Sequence, residues 1–282
     1  MSKKLLSRKE RGEIFKGHIL PHFLSLGVYA KNPGALIFGG QPGAGKSNLI
    51  RIIKSVKTDF VVINGDDLRG YHPRMLELMD KDEINAPDLI QADCNYWVER
   101  LIKVLGKKKF NLIIESTMRR AVIVGSTCAF LKKHGYKIEA VMLTVPQPVS
   151  LASIFYRYEI QKGLVDKARF TKIQNHQRSF VGLQNTIAEI FRLKMTDRIT
   201  LYSRRGTNYY ILHENNLIDN EWDEKINPLL FFKKFAKRKL LKSELLYTTK
   251  LWQKTLSLAL SRKAKQTYLG MIKKQLKLLK EA

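Results

Sequence analysis

Eight residues near the start of the chain have the types and the order needed to hold a triphosphate. They are Gly40, Gln41, Pro42, Gly43, Ala44, Gly45, Lys46 and Ser47. The glycines let the backbone curl so that successive N–H groups point inward, where Lys46 would reach the β- and γ-phosphates and Ser47 would hold Mg²⁺. The segment therefore predicts a P-loop that binds ATP and Mg²⁺. A dinucleotide fingerprint does not fit, because Asn48 stands where the third glycine belongs.

Two carboxylates follow apolar runs and stand where phosphoryl transfer would use them. Asp66 comes after the run 60–63, and Glu115 comes after the run 112–114. A carboxylate at the end of the strand next to the P-loop strand can take the proton of a hydroxyl that attacks the γ-phosphate, which is the role predicted for Asp66. A turn cap without chemistry is the alternative for this residue. Glu115 is predicted to support Mg²⁺ or its waters, or to bind substrate.

Two arginines flank a helical segment further along the chain. Phosphoryl transfer needs positive charge over the migrating group, and a helical lid commonly supplies it. Arg157 and Arg169 border such a segment. In so basic a chain any one arginine is more often a solvated surface residue, so periodicity alone does not select these two.

The elements that must position these residues alternate between strand-like and helix-like patterns. Short apolar runs predict strands, and residues 198–202 and 209–212 predict a late hairpin around Arg205-Gly206. The remaining strand candidates are 35–38, 60–63, 112–114 and 140–145. This alternation predicts an α/β fold with a parallel, P-loop kinase-like sheet flanked by helices, whose ligand crevice lies at the carboxyl ends of the strands.

Composition bounds the class of protein. The chain has 282 residues and 44% hydrophobic content, enough for one large domain with an appendage. No stretch approaches the roughly 20 apolar residues of a membrane span, and the charged N-terminus does not resemble a signal peptide, so a cytoplasmic protein is expected. Cys94 and Cys128 fall in helix-like segments without metal-ligand spacing, which predicts ordinary reduced thiols.

The positive charge is concentrated in the C-terminal region. Of a formal net charge of +26, the 16 Lys and Arg against 2 Glu between residues 225 and 282 contribute +14. Apolar residues at helical spacing predict one amphipathic helix there; they are Trp252, Leu256, Leu260, Ala264, Tyr268, Ile272, Leu276 and Leu279. Its stripe can dock on the rest of the protein, or the helix can bind anionic lipid, nucleic acid or an acidic protein partner.

The predicted organisation has three parts. An N-terminal helical segment covers residues 1–34, with a helix over residues 3–30 that ends before Pro33-Gly34. The P-loop kinase domain covers residues 35–224. A basic helical extension covers residues 225–282.

Several of these motifs together resemble the zeta toxins of bacterial toxin-antitoxin systems, which are P-loop kinases that phosphorylate UDP-N-acetylglucosamine on its sugar 3′-hydroxyl. Gly40 to Ser47 is similar to the family's Walker A motif. Asp66-Asp67-Leu68-Arg69, followed by His72-Pro73, is similar to its catalytic-base motif, and Glu115-Ser116-Thr117 stands where the family has Glu-Gly-Thr. The resemblance covers roughly residues 35 to 215.

The resemblance implies a set of site residues. Asp66 would be the catalytic base, and Arg157 and Arg169 would be the arginines directed at the phosphates. Acceptor binding would fall to Glu99, Glu115, Thr117, Arg119 and Thr127. A small inhibitory antitoxin is also implied. Ser116 in place of glycine and a slightly shortened lid depart from the family's pattern and bear on how the sugar is seated, and some relatives phosphorylate other nucleotides, including nicotinamide dinucleotide.

Two other functional hypotheses compete with a small-molecule kinase. The first is a nucleic-acid-binding polynucleotide kinase or ATPase whose basic charge follows phosphates. The chain offers no recognisable nucleic-acid-reading module, and its excess charge lies away from the motifs. The second is a nucleotide-dependent switch without acceptor chemistry, against which Asp66 and the paired arginines argue.

Overall fold

The computed structural model describes residues 6–165 and 167–281. The strands are β1 (Gly34–Gly39), β2 (Val61–Asn64), β3 (Leu112–Glu115), β4 (Lys137–Thr144), β5 (Arg198–Arg205), β6 (Asn208–Ile218) and β7 (Glu221–Trp222). The α-helices are α1 (Arg8–Ile14), α2 (Leu20–Ser25), α3 (Lys46–Val56), α4 (Met75–Asp82), α5 (Ala86–Leu89), α6 (Gln91–Lys107), α7 (Ala121–Lys133), α8 (Gln147–Leu164), α9 (Ile173–Arg192), α10 (Pro228–Ala236), α11 (Lys242–Ser261) and α12 (Gln266–Lys280).

The seven strands form one sheet in the order β2-β3-β1-β4-β5-β6-β7. The first five strands of this order are parallel, whereas β6 and β7 run antiparallel. The α/β class with a mostly parallel sheet is confirmed, and so is the hairpin around Arg205-Gly206. One detail of the expectation is wrong: β3 separates β2 from the P-loop strand β1, so β2 is not its neighbour.

Helices cover both faces of this sheet. On one face α6, α7, α9 and α10 pack against strand residues such as Ile37, Ile63 and Ile114. On the other face α3 and the start of α8 cover Phe38 and Leu143. Parallel strands buried on both faces are expected to be continuously apolar, which is why the short hydrophobic runs of the sequence identify them. In the described part of the chain no helix is long and apolar enough to cross a membrane.

The N-terminal helix is shorter and less regular than the sequence predicts. It runs from Arg8 to Ser25 with a π-helical segment at Phe15–Ile19, and it ends well before residue 30. Residues 3–5 of the predicted helix lie outside the described residues. The π-helical segment carries two fully buried side chains, Phe15 and Ile19, into the main core.

The basic C-terminal region forms two helices rather than the single helix predicted. α11 ends at Ser261, Lys263 adopts a left-handed conformation with φ of 56°, and α12 begins at Gln266. Residues spaced by four drift by about 40° per step around a helix of 3.6 residues per turn, so the eight residues of the stripe could not all face one side of a straight helix. One of them, Leu260, is exposed. A hairpin lets the buried residues of both helices face α8. The boundaries at residues 34 and 224 stay a prediction.

A buried ion-pair cluster joins α1 to the loop that follows β2. The Oδ1 atom of Asp93 lies 3.6 Å from Arg11 Nε, and its Oδ2 atom lies 3.3 Å from His72 Nε2. All three residues are buried. Burial lowers the pKa of His72, although the Asp93 carboxylate opposes that shift.

Asp93→Ala is expected to lower the free energy of unfolding by about 3–5 kcal/mol, because it leaves a buried guanidinium without its counter-charge. Urea denaturation measures this loss. Glu13→Ala removes an exposed carboxylate from the same N-terminal helix and should change stability by less than about 0.5 kcal/mol. Equal effects of the two substitutions would show that the buried cluster does not stabilise the fold.

Candidate active site

The P-loop turn depends on two glycines. Gly43 and Gly45 have φ of 79° and 101°, in the left-handed region that side chains other than glycine rarely adopt. A Cβ atom on Gly43 would lie 2.0 Å from the backbone oxygen of Ser150, so this position has no room for one. Gly45 is the N-cap of α3, and the helix that follows begins at Lys46, as the sequence predicts. A glycine-rich loop that leads into a helix N-terminus in this way can bind an anion through its backbone N–H groups.

The ammonium group of Lys46 lies against the loop itself. Its Nζ atom donates hydrogen bonds to the backbone oxygens of Gly40 at 2.7 Å and Gln41 at 3.4 Å. Burial lowers the pKa of Lys46, an effect that the carboxylates of Glu115 and Asp66 oppose. A buried ammonium group that is hydrogen-bonded to carbonyl oxygens keeps its positive charge available for an anion.

Ser47, in the first turn of α3, lies opposite Glu115, the last residue of β3. The hydroxyl of Ser47 donates to Glu115 Oε1 at 3.1 Å and approaches Oε2 at 3.3 Å. Burial raises the pKa of Glu115, while Lys46 opposes that rise. Hydroxyl and carboxylate oxygens are the ligands that Mg²⁺ prefers, directly or through water, so these two residues fit the ion. No group of three or more His, Cys, Asp or Glu forms a metal site among the described residues.

Asp66 lies between two guanidinium groups. Arg69 Nη2 lies 3.2 Å from Asp66 Oδ1, and Arg169 forms an ion pair with Oδ2. Partial burial alone would raise the pKa of Asp66, but Arg169 and Arg69 hold it below its usual value. Arg69 is itself buried and donates to Gln91 Oε1 at 2.7 Å, which fixes its orientation. Asp66 is therefore kept ionised, as a proton acceptor must be.

Arg157 and Arg169, the two predicted lid arginines, lie near Lys46 and Asp66. Arg157 lies near the carboxyl half of α8 and donates to Thr171 Oγ1 at 3.2 Å. The charges of Asp66, Glu115, Arg157 and Arg169 all act on the pKa of Lys46. The structure thus brings together the P-loop lysine, both predicted carboxylates and both predicted arginines.

The residues assigned to the acceptor are less closely connected. Glu99 is exposed on α6 and forms an ion pair with Lys103 one turn later. Arg119 is exposed, and Thr117 and Thr127 are half-buried, on the loop after β3 and on α7. In the residues that the structure describes, no hydrogen bond or ion pair links these four to the Asp66 cluster. Their role in acceptor binding stays a prediction.

Ser116, which replaces the family's usual glycine, stabilises the turn after β3. Its backbone N–H donates to Phe38 O at 3.0 Å, and its hydroxyl accepts a hydrogen bond of 3.0 Å from Met118 N–H. Met118 adopts a left-handed φ of 48°. The serine therefore supports a strained backbone directly beside Glu115.

The β5–β6 hairpin holds the P-loop from outside, a feature that the sequence does not reveal. Tyr209 donates to Gly45 O at 2.8 Å and accepts from Asn48 Nδ2 at 3.1 Å. Arg204 donates to Ser153 Oγ at 3.0 Å and lies 3.4 Å from Gly43 O. The sequence predicts the hairpin itself. The alternation of apolar and polar residues along its strands does not indicate which side chains contact the P-loop.

Behind the P-loop lies a buried polar chain. Gln41 Nε2 donates to Val145 O at 2.7 Å and to Ser150 Oγ at 3.2 Å, and Ser150 Oγ lies 2.8 Å from His176 Nε2. Burial lowers the pKa of His176 to about 4, and the Lys46 charge acts in the same direction. The imidazole is therefore neutral near pH 7 and fixes the loop through Ser150.

Cys94 and Cys128 are buried free thiols on helices, as predicted.

Acid should weaken the fold through His176. Because its pKa is lowered in the folded state, the unfolded chain binds more protons between about pH 6.5 and 4, and stability falls as the pH drops through this window. In urea denaturation, the stability advantage of the native protein over His176→Asn should shrink by roughly 1–3 kcal/mol between pH 7 and pH 4. His18→Asn, which removes an exposed imidazole, should run parallel to the native protein. Parallel curves for His176→Asn would contradict the buried neutral imidazole.

Comparison with known proteins identifies the family of this chain. The chain is 28% identical over 213 residues to the toxin PezT of Streptococcus pneumoniae serotype 4, covering 71% of this chain and 84% of PezT. It is 29% identical over 182 residues to the toxin zeta of Enterococcus hirae, covering 64% of each protein. The chain therefore spans less than two thirds of that second relative.

Solved structures share the fold. The structure reported for the PezAT chromosomal toxin-antitoxin system of Streptococcus pneumoniae superposes with a TM-score of 0.75 at 21% identity, over 91% of this chain and 99% of that one. A complex of AvrRxo1-ORF1 and -ORF2 with ATP superposes with a TM-score of 0.56 at 12% identity, over 95% and 87% of the two chains. The model of the family described as Zeta toxin matches residues 27–217. This chain belongs to the Zeta toxin family.

Proposed function

We propose that this chain is an ATP-dependent small-molecule kinase that phosphorylates a sugar hydroxyl of a nucleotide sugar, with the 3′-hydroxyl of UDP-N-acetylglucosamine as the first candidate. In this proposal the protein is a toxin that blocks the use of a cell-wall precursor in the cytoplasm. The observation that carries it is the ion pair of Asp66 with Arg169 beside Lys46. A switch protein would not need a carboxylate base paired with a lid arginine.

The residues divide the chemistry of transfer between them. Asp66 accepts the proton of the acceptor hydroxyl, whose oxygen forms a bond to the γ-phosphorus as the bond to the β-phosphate oxygen breaks and ADP leaves. Lys46 and the loop amides hold the phosphates, and Arg157 and Arg169 offset the negative charge that develops. Ser47 would hold Mg²⁺, with Glu115 acting through water, and the ion would neutralise phosphate charge when bound.

Acceptor recognition is the less defined half of the site. We assign it to Glu99, Glu115, Thr117, Arg119 and Thr127, on the strength of the family motifs. Of these, Glu115 is the one that contacts the P-loop, through Ser47. An antitoxin partner is also proposed, and the structure reported for the PezAT toxin-antitoxin system supports it.

Asp66→Asn should retain ATP binding but lose phosphoryl transfer by about 10²–10⁴-fold, because the amide cannot accept the hydroxyl proton. Coupled ADP release measures turnover, and calorimetric titration with ATP and Mg²⁺ measures binding. Asp59→Asn makes the same substitution at the opposite end of the same strand, beside Asn111, and should keep near-native turnover. An Asp66→Asn protein with native turnover would exclude Asp66 as the base.

A panel experiment identifies the acceptor. Purified protein is incubated with ATP, Mg²⁺ and, separately, UDP-N-acetylglucosamine, nicotinamide dinucleotide and oligonucleotides, and mass spectrometry detects an added phosphate. Phosphate on the UDP-sugar is the expected result. Phosphate on the dinucleotide would keep the kinase and change the acceptor, and phosphate on the oligonucleotide alone would favour the nucleic-acid reading.

A further inference from the structure

The C-terminal hairpin of α11 and α12 packs against the lid helix α8. The ring of Phe155, on α8, lies 5.0 Å from Trp252 of α11 and 5.5 Å from Tyr268 of α12, with which it stacks. Trp252 is 1% exposed, and together with Ile272 it belongs to a hydrophobic cluster distinct from the two cores of the sheet. The lid thus has a core of its own, half of which the C-terminal region supplies.

An ion pair between a partly exposed arginine and a buried glutamate fixes this contact at one point. Arg262, in the turn between α11 and α12, donates two hydrogen bonds of 2.8 Å to the carboxylate of Glu159 on α8. Glu159 is 2% exposed, and the Arg262 guanidinium also lies over the rings of Tyr158 and Tyr268. A bidentate guanidinium-carboxylate pair defines both distance and orientation, which a hydrophobic contact alone does not.

The residues that make this contact are the direct neighbours of the two site arginines. Arg157 is exposed on α8, next to the buried residues Tyr158 and Glu159. Arg169 is followed by Phe170, whose ring packs edge-on against Phe155 and Tyr158, each at 5.2 Å. The chain neighbours of both arginines, Tyr158 and Phe170, are therefore packed in the cluster that the C-terminal hairpin completes.

We propose that Arg262 is a positioning residue for phosphoryl transfer, which with Tyr268 fixes the lid backbone so that Arg157 and Arg169 reach the transferred phosphate. The inference rests on the proposed kinase function for its kinetic consequence, but the mechanical coupling it describes does not. Long arginine side chains lose their placement when their backbone moves, and a displacement of about 1 Å in a reacting geometry can cost on the order of 10²-fold in rate.

Arg262→Gln tests the proposal, with Lys254→Gln as the matched control. Lys254 is exposed on α11, so its substitution removes the same charge from the C-terminal hairpin at an exposed position. The first measurement is amide hydrogen exchange of the peptides covering residues 153–172. Exchange should be at least about tenfold faster in Arg262→Gln, while Lys254→Gln and the sheet peptides of both variants stay at native rates.

Kinetics provide the second measurement. In Arg262→Gln, kcat should fall by about tenfold or more, while KM for the acceptor changes by less than about twofold, because the acceptor side of the site is untouched. Arg262→Lys keeps the charge but not the bidentate fork, and should recover part of the loss. Adding Arg157→Gln to Arg262→Gln should cost much less than Arg157→Gln alone, since both act on the same step.

The outcomes separate the two proposals. Native exchange rates in the lid peptides of Arg262→Gln would overturn the coupling, as would fully additive effects of Arg262→Gln and Arg157→Gln. Faster exchange across the whole sheet would instead assign Arg262 to global stability and also overturn it. A native protein with no kinase activity on any acceptor would remove the proposed function, yet the exchange measurement would still decide whether the hairpin holds the lid.

Discussion

Four positively charged side chains lie close together at one edge of the sheet, and their mutual repulsion is the constraint that the surrounding structure must offset. Burial lowers the pKa of Lys46, Arg69 and Arg157, and the charge of Arg169 lowers each of these three further. The carboxylates of Asp66 and Glu115 offset that repulsion. Arg169 forms an ion pair with one of these two acids, Asp66, which places a cation and the predicted base in direct contact.

The fold brings hydrogen-bond partners from different parts of the chain to these positively charged side chains. Lys46 is fixed by P-loop carbonyl oxygens, Arg69 by Gln91 of α6, and Arg157 by Thr171. The P-loop is in turn braced from behind by Ser150 and from outside by Tyr209. A charge cluster of this kind keeps its geometry because the neutral hydrogen bonds around it come from rigid elements on both faces of the sheet.

The sequence predicted that the two carboxylates would lie beside the P-loop, but it did not predict the side chains that surround them, for physical reasons. Asp66 and Glu115 follow apolar runs, and the carboxyl ends of parallel strands meet at one edge whatever the strand order, so their convergence did not depend on β2 being next to β1. Strand order itself leaves no trace in such runs. The roles of Tyr209, Arg204 and His176 were not predictable, because each depends on which distant loop a side chain meets.

In the C-terminal region, the residues that dominate the net charge are not the residues that form the hydrophobic cluster with α8. Its lysines dominate the composition, yet aromatic and apolar side chains of both helices share a buried cluster with α8, and Arg262 supplies a charged contact to Glu159. The spacing of the apolar stripe indicated a buried face but placed it on one helix, although a four-residue spacing drifts too far to stay on one side. The chain leaves the helix at Lys263, whose φ is left-handed, and Arg262 in this turn reaches Glu159 of α8. The buried residues of the stripe are thereby divided between two helices that share one hydrophobic cluster with α8, and the turn between them supplies the charged contact.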